Sequence, residues 1–380
     1  MKVIEFLKNA PSITDGLASL HLELGIKAKI YEDEGLIVLN YSQIDSPKTH
    51  PIVQECRGLI IDNDLTVVAR PFDRFFNYGE ALNVMPEIDW ENASIFEKVD
   101  GSLIKIYFHK GRWEVATRGT AFAESECMGH GITFKELVFN ALKVHDDDGF
   151  QYLMNNAYLF RDTTYLFELT CVENRVVRHY HGYNLHFLAA RDNVSGNYSE
   201  ECRDWLRSPD CILYGIVKHP KRYALGSADE ALQAAKELKN LDEGFIVYQN
   251  AVPIAKIKSP AYVAVHHIRG EGLNPKRIME LVLSGEHDEY LSYFPEDRPI
   301  IQPYVDSLLD MLNIIAVTYP RLNQATTPKA FAAAIKHAGI DKQKASVYFM
   351  ARRDNKDPVQ VFHGMKTTFK MDMLRKWMMV

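Results

Sequence analysis

Cysteine is scarce in this chain. Its five copies, Cys56, Cys127, Cys171, Cys202 and Cys211, are odd in number, scattered and never arranged as C-x-x-C. That excludes a disulfide framework or a zinc ribbon and reads as reduced thiols of a cytoplasmic protein. No apolar run looks long enough to span a bilayer, so no membrane partner is expected. Met1 to Lys8 spaces its charges too closely for a signal peptide and reads as a short amphipathic helix. G-x-x-x-x-G-K-[ST] is missing, which argues against a P-loop kinase activity. Internal repeats and low-complexity tracts are absent as well.

What is there suits a globular protein with a large core. At 380 residues, 47% hydrophobic and 25% charged, the chain has room for two domains. The net charge of -6 is unevenly spread, because Thr327 to Val380 holds 11 Lys+Arg against 4 Asp+Glu. Such a basic end on an acidic body points to an anionic macromolecule, or to a solvated lysine-rich helical surface.

Between about Tyr31 and Val265 short strand-like runs dominate. Cys56 to Ile61 and Val67 to Arg70 flank an Asn63-Asp64 turn; Leu103 to Phe108 and Trp113 to Thr117 flank His109-Lys110-Gly111. Further apolar strands are expected at Tyr165 to Leu169, Leu185 to Ala190, Phe245 to Tyr248 and Ile254 to Ile257. Helical spacing marks Thr133 to His145 and Ala228 to Leu238. Strands without regular helix alternation predict an α+β domain on largely antiparallel sheets. After Gly270-Glu271-Gly272-Leu273-Asn274 the texture turns helical: Pro275 opens one helix, Ile301 to Val317 has helical spacing, and Thr327-Pro328 caps a helix that Gly339 ends. The expected domains are therefore 1–268 and an all-α 269–380.

Lys98 is the most informative position. It precedes an Asp100-Gly101 turn that feeds the alternating strand Ser102-Leu103-Ile104. A rigid turn, a glycine that permits close approach, and apolar neighbours that strip water from an amine are what a nucleophilic lysine needs. Alone, the pattern reads as a surface hairpin with an incidental lysine. Other segments join it in order: Glu55-Cys56-Arg57-Gly58, then Arg70-Pro71-Phe72-Asp73-Arg74-Phe75-Phe76-Asn77, then Thr117-Arg118-Gly119. Glu168 stands alone as a carboxylate in an apolar strand, Glu243 sits at the mouth of another, and Lys256 and Lys258 share one strand face. Arg57 has the fork to grip a ribose or phosphate.

This ordered set resembles the covalent nucleotidyltransferase superfamily, and most closely the bacteriophage RNA ligase family of the T-even RNA ligase 1 type. The resemblance covers about residues 50 to 262; Asn174-Arg175-Val176-Val177 and Lys256-Ile257-Lys258-Ser259 match that family rather than its DNA-joining cousins. It implies an antiparallel-sheet nucleotidyltransferase domain, ATP-grasp-like, followed by a helical domain that selects RNA. It implies ATP and Mg²⁺ as cofactors and Lys98 as the nucleophile that takes AMP. Arg57, Arg74, Phe76, Arg118, Glu168, Glu243, Lys256, Lys258 and Tyr262 become the nucleotide-binding set, with Glu243 and Glu168 as metal carboxylates. The implied partner is RNA with 5′-phosphate and 3′-hydroxyl ends, nicked tRNA included, joined by a monomer in phage RNA repair in the host cytoplasm. The family carries lysines where this chain has Arg74 and Arg118, and an arginine fork is no substitute for a point charge. A DNA ligase or capping enzyme is the alternative, but its β-rich barrel does not suit the helical end; an inactive RNA-binding scaffold does not suit the intact lysines. His179, His181 and His186 lack metal-ligand spacing and read as structural or RNA-facing, and His266-His267 is equally undistinguished.

Overall fold

The computed structural model describes residues 1–81, 83–127, 130–178, 180–239, 242–267, 274–293 and 297–378, with the backbone alone at 264–267, 289, 292 and 293. The chain divides into two compact units, Met1–Ser42 with Ser46–Arg269, and Gln43–Asp45 with Gly270–Val380. The expected boundary at 268/269 and most of the Gly270–Asn274 segment lie outside the described residues.

The first unit is α+β. Among the described residues thirteen strands run in chain order: β1 Ile26–Tyr31, β2 Leu36–Tyr41, β3 Arg57–Asp62, β4 Val67–Ala69, β5 Phe76–Asn77, β6 Ser94–Glu97 and β7 Ser102–His109 come first. β8 Arg112–Thr117, β9 Thr163–Thr170, β10 Asn184–Asp192, β11 Arg222–Tyr223, β12 Gly244–Gln249 and β13 Val252–Lys258 follow. They form three sheets, ordered β1-β2-β3-β4, β10-β9-β7-β8 and β11-β6-β12-β13-β5. Every pairing is antiparallel except β13 with β5. The β7–β8 hairpin closes through Lys110 and Gly111, both at positive φ (46° and 84°), a turn that suits the right-handed twist of the flanking strands.

Residues choose these elements for local reasons. β9 is buried along nearly its whole length, so it reads as a continuous apolar run broken only by threonines and Glu168. The helix Phe134–Leu142 begins with a capping box, in which the Thr133 side chain accepts from the Glu136 N–H and the Glu136 side chain from the Thr133 N–H. It buries Leu137, Val138 and Leu142 against the sheet, each worth about 2 kcal/mol. A second core joins two sheets, with Leu36, Val38 and Ile60 meeting Tyr107 and Ala116. All five cysteines are buried and free.

Among the described residues the second unit contains helices and no strand, including Pro275–Ser284, Arg298–Leu322, Pro328–His337, Lys342–Asp354, Pro358–His363 and Thr367–Met378. Thr327 caps the helix started by Pro328. One expectation needs correcting: Arg298–Leu322 is long and apolar enough by length and composition to cross a membrane. Within its unit it is a packing helix, burying Met311, Ile315 and Leu322 in a shared core and carrying Pro303 and Pro320. Along the sequence, Pro303 and Pro320 and the polar Asp306 and Asp310 interrupt its apolar run.

Candidate active site

Lys98 directly follows β6, and its N–H donates to the Gly244 carbonyl at 2.8 Å, at the start of β12. β12 pairs with β13 so that Gly244 faces Lys258 and Ile246 faces Lys256. Register alone therefore brings the lysine, the Glu243 carboxylate and the paired lysines to one sheet end. The Lys98 Nζ donates to Glu243 Oε2 at 2.6 Å, and Lys258 Nζ lies 3.7 Å from Glu243 Oε1. The Glu243 side chain is only 6% exposed, so this contact is well shielded.

The other two sheets complete the walls of a cavity of about 170 Å³ lined by Lys98, Glu243, Lys256, Lys258, Glu168 and Arg57, among others. Glu168 enters from β9 and Arg57 from the start of β3. Phe75 forms a flat wall beneath two cations, with the Arg57 guanidinium 5.9 Å and the Lys256 Nζ 5.1 Å from its ring centre. Burial pushes Glu168 up to about 7, against the pull of Lys98 and with the help of Glu243. Two crowded carboxylates facing one cavity are a fitting place for a divalent cation, whose charge would relieve both. Among the described residues no three His, Cys, Asp or Glu side chains gather into a preformed cage.

Arg74 and Phe76 line a second, larger cavity of about 600 Å³ that shares Phe75 with the first. Arg118 lines neither, and gathers with Arg74 around Tyr41, which the sequence reading passed over. Arg74 Nη1 donates to the Tyr41 hydroxyl at 2.8 Å, and the Arg118 guanidinium lies 4.5 Å over its ring. Burial would raise the Tyr41 phenol, yet Arg74, Arg118 and Arg57 together bring it below its ordinary value. Three guanidiniums converging on one phenol make a strongly positive pocket edge.

Tyr262 stands apart from the cavity. It is buried, and its hydroxyl donates to Asp100 Oδ1 at 2.7 Å, so it braces the Asp100-Gly101 turn from behind. Gly101 also has a different neighbour from the ligand expected there: a Cβ would collide with the Leu169 carbonyl of β9. The turn is pressed on the strand that carries Glu168. Gly244, at φ 140°, is pressed likewise on Ile257.

Lys105 and Arg178 lacked a sequence signal. Lys105 is fully buried on β7, donates to the Gly58 carbonyl beside Arg57, and is brought down to about 7 by burial. Arg178 bridges Glu97 and Asp242. His186 meets Thr170 at 3.2 Å and is lowered to about 4 by burial. His179, and the side chains of His266 and His267, lie outside the described residues.

Residues 55–262, which hold all of this constellation apart from Tyr41, match the profile of a family described as RNA ligase. A putative bifunctional polynucleotide kinase/RNA ligase of Autographa californica nuclear polyhedrosis virus is 40% identical over 303 residues, covering 77% of this chain. The chain spans only 42% of that protein's length. An RNA ligase of Rhodothermus phage RM378 is 24% identical over 335 residues, covering 72% of this chain and 74% of the phage protein. Among solved structures, an archaeal ATP-dependent RNA ligase aligns over 89% of each chain at 14% identity, with a TM-score of 0.47. A Naegleria gruberi RNA ligase with PPi aligns over 49% of this chain and 56% of its own, at 16% identity and a TM-score of 0.38. With the family profile matching more than half of its residues, the chain belongs to the RNA ligase family.

Proposed function

We propose that the protein is an ATP-dependent RNA ligase that works through a lysyl-AMP intermediate. The observation that carries this reading is the Lys98 amine inside a cavity walled by Glu243, Lys256 and Lys258. Lys98 Nζ attacks the α-phosphorus of ATP; the N–P bond forms, the bond to the β-phosphate oxygen breaks, and pyrophosphate leaves with that electron pair. A 5′-phosphate oxygen of RNA then takes the adenylyl group from Lys98. Last, a 3′-hydroxyl attacks the activated 5′-phosphorus and AMP departs.

This chain's residues divide the work. Lys98 must leave Glu243 and shed a proton before it attacks, because only a neutral amine has a free electron pair. Lys256 and Lys258 neutralise charge that grows on the phosphates. Arg57, with the Arg74 and Arg118 pair around Tyr41, is suited to the triphosphate tail. Phe75 offers a flat apolar wall, Phe76 lines the neighbouring cavity, and Tyr262 supports the turn. Glu243 and Glu168 would hold Mg²⁺, which supplies charge neutralisation at the α-phosphate. The helical unit, with its lysine-rich end, is assigned to choosing the RNA, single-stranded ends or a nicked tRNA among the candidates. A DNA ligase or capping reading finds no support in that helical unit, which among the described residues holds no strand for an oligonucleotide-binding barrel.

Incubation with α-labelled ATP and Mg²⁺ should leave label on the protein through denaturing electrophoresis, and Lys98→Ala should remove it. GTP in place of ATP should give none. Labelling that survives in Lys98→Ala would end this assignment.

A further inference from the structure

We propose that Arg178 is a positioning residue for adenylation: its guanidinium ties Glu97 to Asp242, the residues just before Lys98 and Glu243, and so holds nucleophile and carboxylate at their working separation. The inference rests on Lys98 being the nucleophile. Arg178 Nη1 donates to Glu97 Oε1 at 2.8 Å and lies 2.7 Å from Asp242 Oδ1. One nitrogen thus spans the end of β6 and the approach to β12. These are the two chain segments whose next residues meet at 2.6 Å.

The same segment grips the turn on its other side. The Val177 and Arg178 N–H groups donate to Asp100 Oδ2 at 2.9 and 2.8 Å. The Asp100 N–H donates to the Tyr180 hydroxyl at 3.1 Å, and the Arg178 guanidinium lies 4.9 Å over the Tyr180 ring. Lys98 is therefore clamped one residue upstream by a side chain and two residues downstream by backbone.

Energetics favour a geometric role. The three side chains are 23–28% exposed, and ion pairs open to water add little stability. What the guanidinium does is separate two like charges. Without Arg178, the Glu97 and Asp242 carboxylates repel each other and push apart the two segments that carry Lys98 and Glu243.

The test is single-turnover labelling with α-labelled ATP, measuring both the rate at saturating ATP and the half-saturating ATP concentration. Arg178→Met should lower the saturated rate about tenfold or more, with half-saturation within about twofold, because misplaced reacting groups slow chemistry without loosening substrate. Arg178→Lys should recover part of the rate, and so should adding Asp242→Asn to Arg178→Met, since it removes one repelling anion. An Arg178→Met protein that labels at the wild-type rate, or loses only ATP affinity, overturns the inference. If Arg178→Met shows no cooperative melting, Asp242→Asn alone decides: a saturated rate down about threefold supports the bridge, and an unchanged one overturns it. No label on the wild-type protein, or label kept by Lys98→Ala, overturns the Lys98 reading and this inference together; an unaltered Arg178→Met overturns this inference alone.

Discussion

Glu243 holds the Lys98 amine at 2.6 Å although 145 residues separate them in the chain. The proposed nucleophile thus rests on the carboxylate that is suited to a metal ion. If Lys98 is the nucleophile, this contact must open before the amine can attack, and Glu243 and Glu168 would then be free to hold a divalent cation whose charge would favour that opening.

Glu243→Gln keeps shape and one hydrogen-bond acceptor but removes the charge. Single-turnover adenylation should fall on the order of 10²-fold while the melting temperature stays within a few degrees. A rate equal to wild type would remove Glu243 from the reaction.

Glu168 gives a pH signature. Its folded value, about 7, lies above the ordinary carboxylate value, so the folded protein binds more protons than the unfolded chain between about pH 4.5 and 7. This contribution to stability is fully present at low pH and is lost as pH rises through 7. Relative to wild type, Glu168→Gln should therefore gain about 2 kcal/mol between pH 5 and pH 8, read by urea denaturation at both. Adding Mg²⁺ at pH 8 should raise the wild-type melting temperature more than that of the variant.

The Asp100-Gly101 turn has no room behind it. Gly101→Ala forces a methyl into the Leu169 carbonyl, at a cost of about 2–4 kcal/mol, and should suppress adenylation even where the protein stays folded. Tyr262→Phe strips Asp100 of one partner in a buried site and should cost about 1–3 kcal/mol. Chemical denaturation ranks the two; a neutral Tyr262→Phe would dismiss the brace.

A chain ended after the Pro260–His267 helix retains every residue of the Lys98 cavity. It should keep adenylation within about threefold while joining of RNA ends falls at least tenfold, because docking the RNA is a separate binding event. Equal joining by the two forms would take RNA selection away from the helical unit.

Some of this was readable along the chain. The Asp100-Gly101 turn after Lys98, the Lys110-Gly111 hairpin and the Thr133–Glu136 cap are written in neighbouring residues, since turns and caps are local chemistry. β1 was harder, because four of its six residues are exposed and show no clear burial alternation. Ile26 aside, packing did not mark it.

The sequence by itself determined the turn that follows Lys98, the order of the segments that surround it, and the change from strands to helices. Only tertiary structure decided that Glu243 would reach Lys98, that Glu168 would share its cavity, that Tyr41 would gather arginines, and that Arg178 would span two acids. The physical reason is register: a strand's side chains alternate faces every residue, so a partner from a distant strand is chosen by how the sheets pair and pack, which no short stretch encodes.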